Sequence, residues 1–276
     1  EAMLSYGHRW GDFGWDSSFT FSANKNEIVE LVKDYVHPET GKTYNVDKLE
    51  LKTDEGRGFG KAKFILKEGG TLGDLYTHAD LKRDINGNIL IDDSGNVTAI
   101  DNAGDIKLGS VLPKANLAWN NSFSYKGINA GFLLTARLGG IVYSATQAYL
   151  DLYGVSETSA AARDAGGVWI NGRSRVNPQS FYEVVASQSG LPTYYTYSAT
   201  NLRLQEAHIG YTVPRRWLGN VCDINVSLVG RNLWMIYCKA PFDPEAVATT
   251  NNYYQGIDYF MMPSTRNIGF NIKINF

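Results

Sequence analysis

Hydrophobic and polar residues alternate with a period of two along much of the chain. Near residue 276, Ile268, Phe270, Ile272, Ile274 and Phe276 alternate with Gly269, Asn271, Lys273 and Asn275. This is the signature of a strand with one apolar and one polar face. In the middle of the chain, Leu117, Trp119, Phe123 and Tyr125 alternate with Ala118, Asn120, Ser122 and Ser124. Lys126 and Gly127 then lead into Ile128, Ala130, Phe132, Leu134, Ala136 and Leu138, which predicts a hairpin closed by a two-residue turn. A further arm sets Cys222, Ile224, Val226 and Leu228 against Asp223, Asn225, Ser227 and Arg231. With runs at 2–8, 15–25, 59–66, 71–79 and 201–212, the pattern predicts about nine antiparallel strands. In the 201–212 run the apolar phase changes between Leu204 and Ala207, as a β-bulge would require.

The predicted connections alternate in length. Short ones fall at 9–14, 67–70, 126–127 and 214–220, and long ones at 26–58, 80–114, 139–200 and 235–264. In an up-and-down antiparallel sheet every second connection lies at the same end, so one end carries tight turns and the other large loops. Transmembrane β-barrels have this asymmetry, with short periplasmic turns and long outer loops. A soluble β-sandwich that recognises carbohydrate is the competing architecture, because alternation alone does not say whether an apolar face turns to lipid or to a second sheet. Within the long loops, Asp84-Ile85-Asn86-Gly87-Asn88 and Asp93-Ser94-Gly95-Asn96 are turn signals bracketing a small hairpin. Residues 156–164 read as a short helix capped by Ser156.

Composition narrows the class. The 276 residues are 43% apolar, 20% charged and 13% aromatic, with 28 Gly and 17 Tyr. That mixture excludes collagen-like, disordered and coiled-coil chains. A net charge of −2 lacks the basic footprint of a nucleic-acid binder. No apolar run approaches the roughly 18 residues of a membrane helix. The residues from Glu1 to Tyr6 have no signal-peptide pattern. Cys222 and Cys238 flank one strand-like run, about 50 Å apart if extended, and are expected to be free thiols.

Catalytic chemistry is sparse. His8, His37, His78 and His208 are scattered without metal-ligand spacing. Asp84, Asn86, Asn88, Asp92 and Asp93 hint at a calcium loop, but the glycine is at the fourth position and no Glu fills the twelfth. Gly56-Arg57-Gly58-Phe59-Gly60 does not open a helix after a strand, as a phosphate cradle would. Asp243 and Glu245 are not placed across a substrate by anything in the sequence. No nucleophile elbow is present. No enzyme, metal or cofactor is therefore expected. The loop aromatics are the candidate ligand contacts: Trp169, Tyr194, Tyr195, Tyr253 and Tyr254, accompanied by Tyr197, Tyr259 and Phe260. They offer large, rigid surfaces for sugar rings or peptide side chains, or else they pack the loops against one another. Tyr125, Tyr143, Tyr211 and Trp234, near strand ends, suit the interfacial aromatic girdles of a membrane barrel.

The C-terminal third carries a resemblance. Asn201-Leu202-Arg203-Leu204-Gln205-Glu206, Ile209-Gly210-Tyr211-Thr212-Val213-Pro214, Val229-Gly230-Arg231-Asn232-Leu233-Trp234, Phe242-Asp243-Pro244-Glu245 and the strand ending in Phe276 occur in an order and spacing that resemble the SusC/RagA family of TonB-linked outer-membrane transporters of Bacteroidota. Leu112-Pro113-Lys114 with the hairpin after it, and Ala23-Asn24-Lys25-Asn26-Glu27-Ile28, are similar to upstream parts of the same barrel. The resemblance implies a 22-stranded barrel with an N-terminal plug and TonB box, of which residues 1–276 would be the C-terminal portion. It also implies active import, TonB as the energy relay, a SusD-like surface lipoprotein as lid, and an oligosaccharide or a peptide as cargo. Family frequency favours the oligosaccharide. An outer-membrane enzyme barrel is a third reading, but the sequence offers it no nucleophile or acid–base pair.

Overall fold

A computed structural model describes residues 1–51, 59–219, 221–249 and 255–275. Its framework is one seven-stranded antiparallel sheet. The strands, in chain and spatial order, are β1 (Ala2–Trp10), β2 (Phe13–Ala23), β3 (Ala115–Tyr125), β4 (Ile128–Leu138), β5 (Asn201–Val213), β6 (Asp223–Cys238) and β7 (Asn267–Asn275). Every strand pairs with its chain neighbours, so the sheet is a simple meander. The β3–β4 turn needs only Lys126 and Gly127, at φ 46° and 89°. Two successive positive φ values give the primed turn whose twist matches its strands. The phase change in β5 is a bulge: the ladder slips between Leu204 and Glu206 against β6, and opposite Leu133/Leu134 against β4.

Register places the apolar residues of neighbouring strands side by side on one face. Trp10 faces Phe13, which faces Tyr125; Tyr125 faces Ile128, which faces Tyr211. At the centre, Leu4, Phe19, Trp119, Leu134 and Leu204 form a continuous row. Further along, Ile209, Leu228 and Phe270 are level. No second sheet covers this face among the described residues: Leu4 is 73% exposed, Leu228 54% and Phe270 79%. A sandwich would bury such a face against a partner sheet. The smaller sheets lie in the connections instead, so the sandwich reading fails. Strands β3 and β4 have 11 residues each, about 36 Å of chain and about 26 Å of height at a 45° tilt. That height matches the apolar band of a transmembrane barrel.

Two hydrogen bonds between side chains lie on the apolar face, where hydrocarbon surroundings make such pairing valuable. The Trp15 indole N–H donates to Asn121 Oδ1 at 3.1 Å, and the Trp119 indole N–H donates to Ser17 Oγ at 3.0 Å. The two indoles lid the two polar side chains.

The expected count of about nine wall strands is corrected to seven. The runs at 59–66 and 71–79 form strands Ala62–Lys67 and Asp74–Thr77. They pair with Lys48–Glu50 and Ile106–Ser110 in a separate four-stranded sheet. Their sequence shows why. Phe64, Ile65, Leu75 and Tyr76 are buried at adjacent positions, so both faces of this pair are covered, whereas a wall strand leaves one face to lipid. Removing a hairpin removes two strands, so the parity argument survives: three short turns remain at one end of the sheet and three long connections at the other.

The hydrophobic core lies outside the wall. It is formed by the long connections packing on one another, with Phe64, Leu75, Leu81, Val111, Tyr143, Phe181, Leu191, Tyr195 and Ile257 among its members. Helices α1 (Ala145–Leu152), α2 (Glu157–Asp164), α3 (Pro178–Val185) and α4 (Pro192–Tyr195) belong to this body. The expected cap is present, since Ser156 accepts from the backbone N–H of Ser159 at the start of α2. The expected hairpin is present as well. Arg83 bridges Ile89 and Ile91 bridges Val97, while the Asp84 and Asp92 carboxylates accept backbone N–H groups of their turns. No helix is long and apolar enough to cross a membrane among the described residues. Tyr143, expected at an interfacial girdle, is instead fully buried in the loop core and donates to Ser189 O at 2.6 Å. Tyr125, Tyr211 and Trp234 are exposed on the wall.

Candidate functional site

The polar face of the sheet and the loop body meet at the long-connection end, and the chemistry is concentrated there. Odd-numbered positions of β4 and β5 place Arg137, Asn201 and Arg203 on the polar face, at the mouth of the wall. The connection after β6 folds back over them. Arg203 grips Asp243 through two hydrogen bonds, Nη2 to Oδ1 at 2.7 Å and Nη1 to Oδ2 at 3.2 Å, with both side chains over 90% buried. Arg203 Nη2 also lies 3.2 Å from Glu245 Oε2, and Asn201 Nδ2 donates to Glu245 Oε1 at 3.1 Å. Burial would raise the Asp243 pKa, but the Arg203 hydrogen bonds and the Glu245 backbone N–H outweigh it and hold the carboxyl below its ordinary range. Arg137 Nη2 donates to Val111 O at 2.8 Å, tying the first long connection to the same corner.

Next to this cluster the polar face forms a cavity of about 790 Å³. Thr20, Ser22, Asn116, Thr135, Arg137, Gln205 and Glu245 contribute hydrogen-bonding groups to it. The pair Asp243/Glu245 is therefore no acid–base couple: Asp243 is consumed by Arg203, while Glu245 faces the cavity. Arg137, Arg203 and Gln205 carried no signal as isolated residues. Strand phase could have found them, because charged residues at consecutive same-face positions of a barrel strand point into the lumen.

The sequence-predicted contacts separate into two groups. Trp169 stands on the surface of the loop body, 56% exposed, with the Arg175 guanidinium 4.4 Å from its ring. Tyr194 is partly covered: its ring meets Phe181 edge-on at 6.2 Å, and burial raises its pKa. Tyr195 is 2% exposed and donates to Asp151 Oδ2 at 3.0 Å. Burial, reinforced by Asp151, raises its pKa strongly. Its ring is a core member, which is the packing alternative for these aromatics. Tyr197 packs edge-on against Phe242 at 5.6 Å, and burial pushes its phenol up to about 12. Tyr253 and Tyr254 lie outside the described residues, as does most of the glycine-rich stretch beginning at Gly56. Trp169 and the Arg137/Glu245 cavity are not drawn from one cluster. Among the described residues no group of three or more His, Cys, Asp or Glu is arranged to hold a metal. Both cysteines are free.

An uncovered apolar face of membrane height, a polar inner face, tight turns at one end and folded loops at the other together define the wall of a large transmembrane β-barrel. No protein-family model matches the chain. The chain is 25% identical over 289 residues to TonB-dependent receptor P3 of Formosa agariphila, covering 95% of this chain and 27% of that protein. It is also 25% identical to TonB-dependent receptor P26 of the same organism, covering 97% of this chain and 28% of the relative. Among solved structures, the RagAB peptide importer in its closed-closed state superposes with a TM-score of 0.64 at 16% identity, covering 99% of this chain and 29% of that one. The chain thus spans a little over a quarter of the length of the curated relatives it matches. The resemblance to SusC/RagA-type TonB-dependent transporters is borne out: the relatives are named TonB-dependent receptors, and the fold is similar to that of the RagAB peptide importer. The relatives are named as receptors and importers, not as enzymes.

Proposed function

We propose that residues 1–276 are the C-terminal portion of the barrel of a TonB-dependent importer, whose earlier strands and plug would complete the pore. The observation that carries this reading is the polar face with its mouth cluster, backed by a lipid-facing row of apolar side chains across all seven strands. Among the described residues, strands β1 and β7 each pair on one edge only. An unpaired backbone edge is untenable in hydrocarbon, so further strands would close the wall. Import would be driven by TonB acting on the plug, with a SusD-like lipoprotein closing over the loop body.

The cargo we propose is an oligosaccharide. Trp169 offers an indole on the outer surface with the Arg175 guanidinium 4.4 Å from its ring, a combination of flat ring and hydrogen-bond donor that suits a pyranose. Peptide cargo is the second reading, favoured by the fold neighbour being a peptide importer. Calorimetry on the complete transporter, with panels of oligosaccharides and peptides, separates the two. Saturable heat with glycans that weakens in Trp169→Ala supports the first. Heat with peptides alone replaces it by the second, and no heat with either class removes both.

A further inference from the structure

The β5–β6 turn is the longest of the three tight connections and differs from them in chemistry. Pro214, Arg215, Arg216 and Trp217 lead a short 3₁₀ turn, Arg215–Leu218, that closes on Gly219 at φ 65°. Arg215, Arg216 and Trp217 are exposed, the indole at 66%. Trp217 N donates to Pro214 O at 2.9 Å, and Arg215 Nη2 reaches Val221 O at 3.4 Å, so the turn has a defined shape. Neither guanidinium pairs with a carboxylate among the described residues. Among the described residues, the carboxylates of Asp12 and Asp223 near this rim are directed elsewhere. Asp12 lies 3.7 Å from Lys126, and Asp223 sits on the polar face of β6, opposite Asn275.

The level of this turn in the membrane follows from register. Thr212 N donates to Gly127 O at 2.7 Å, which sets the β5–β6 turn beside the Lys126-Gly127 turn. Immediately inward lies the aromatic row of Trp10, Phe13, Tyr125 and Tyr211, all exposed on the apolar face. Aromatic rows of this kind sit at the headgroup boundary. The turn that follows, with Arg215 four residues after Tyr211, reaches the headgroup layer, and a cation there is attracted to an anionic surface. Lys126 Nζ lies 5.4 Å from the Tyr125 ring centroid, which keeps a third cation at the same level.

We propose that Arg215, Arg216 and Trp217 form a binding site for the headgroup of an anionic phospholipid in the periplasmic leaflet. The two guanidinium groups hold the phosphate, and the indole lies along the upper acyl region. Both headgroup classes present a phosphodiester to the guanidinium groups, but only the anionic lipid does so without a tethered ammonium that the two arginines repel. The site is independent of cargo and of energy coupling, so failure of the import reading leaves it untouched.

The test uses the complete barrel that carries this segment, purified in a zwitterionic detergent. It is equilibrated with equal amounts of phosphatidylglycerol and phosphatidylcholine, and bound lipid is counted by native mass spectrometry. The wild type should retain phosphatidylglycerol preferentially. R215Q and R216Q should each lower that retention about fivefold, and the double variant roughly 25-fold. W217A should reduce both lipids without changing their ratio. Folding of each variant is verified by heat-modifiable gel mobility. Should the double variant not fold, the wild-type preference must instead collapse at an ionic strength of about 1 M, where the screening length falls to about 3 Å. Equal retention of the two lipids by the wild type overturns the proposal. So does an unchanged preference in the folded double variant, or a preference that survives high salt. Full displacement of the lipid by millimolar inorganic phosphate also overturns it, because it would mark a site for free phosphate.

Discussion

Removing the Arg203 guanidinium should release the segment around Asp243 from the barrel mouth. In the folded protein Arg203 makes two charge-assisted hydrogen bonds to Asp243 and lies 3.2 Å from Glu245. Both members of the Arg203–Asp243 pair are more than 90% buried in their side chains, so water replaces little of what is lost. Breaking such a pair from one side leaves an uncompensated buried carboxylate and costs about 3–5 kcal/mol. Glu245 is 41% exposed in its side chain, so its own share is small and Glu245→Gln should cost less than about 1 kcal/mol. The cost should appear as local opening, since β5 and β6 keep their full ladder without the pair. Hydrogen exchange of amides at 242–248 in the intact barrel reads it directly. Arg203→Met should accelerate exchange there by two to three orders of magnitude, and Arg203→Met with Asp243→Leu should restore most of the protection. pH gives an independent arm. The Asp243 pKa is lowered by folding, so its contribution is complete above the unfolded carboxylate value, near pH 4, and is lost as pH falls through the lower folded value. The reasoning is refuted if Arg203→Met leaves exchange at 242–248 unchanged at neutral pH, or if the double substitution is worse than the single one.

Other outcomes test the faces and the loop core. Leu134→Arg on the lipid face should lower folding into bilayers by about 2–4 kcal/mol, whereas Thr135→Arg one residue away should be tolerated, as read by urea titration of the reconstituted barrel. Tyr195→Phe removes the phenol that Asp151 accepts from, and should lower the melting of the loop body by the equivalent of about 1–3 kcal/mol. Gly190, at φ 89°, has the Tyr195 ring and the Ala148 methyl where a Cβ would go. Gly190→Ala should therefore destabilise the loop body by at least about 1–3 kcal/mol in the same melt. Trp169→Ala, by contrast, should leave the melt unchanged and weaken cargo binding measured by calorimetry.

The wall was legible in the sequence because its energetics are local. One apolar and one polar face impose a period of two, which Ile268 to Ile274 obey without interruption and Ile128 to Leu138 obey except at Leu133. Even the β5 bulge showed as a one-residue slip in that period, with Leu204 and Ala207 out of phase. The loop core was hidden because its strands are covered on both faces and lose the alternation. Phe64 and Ile65 are both buried, and from sequence they read as one more piece of wall. Tyr143 and Tyr195 show the same limit. A tyrosine near a strand end looks alike whether it meets headgroups, cargo or Asp151, and only tertiary contacts distinguish these. The mouth cluster was half legible. The Phe242-Asp243-Pro244-Glu245 stretch stood out as a motif, but its partner Arg203 lies 40 residues earlier, and no local pattern joins the two.

The central claim is that one face of this sheet meets lipid and the other an aqueous lumen. Nitroxide probes placed singly at Phe270, Asn271, Ile272 and Lys273, in a Cys222→Ser/Cys238→Ser background of the complete reconstituted barrel, test it most directly. Collisional accessibility should alternate, with 270 and 272 reached by oxygen from the membrane and 271 and 273 by a water-soluble nickel chelate. Four positions equally accessible to the nickel reagent would contradict the account and return the chain to the soluble all-β class.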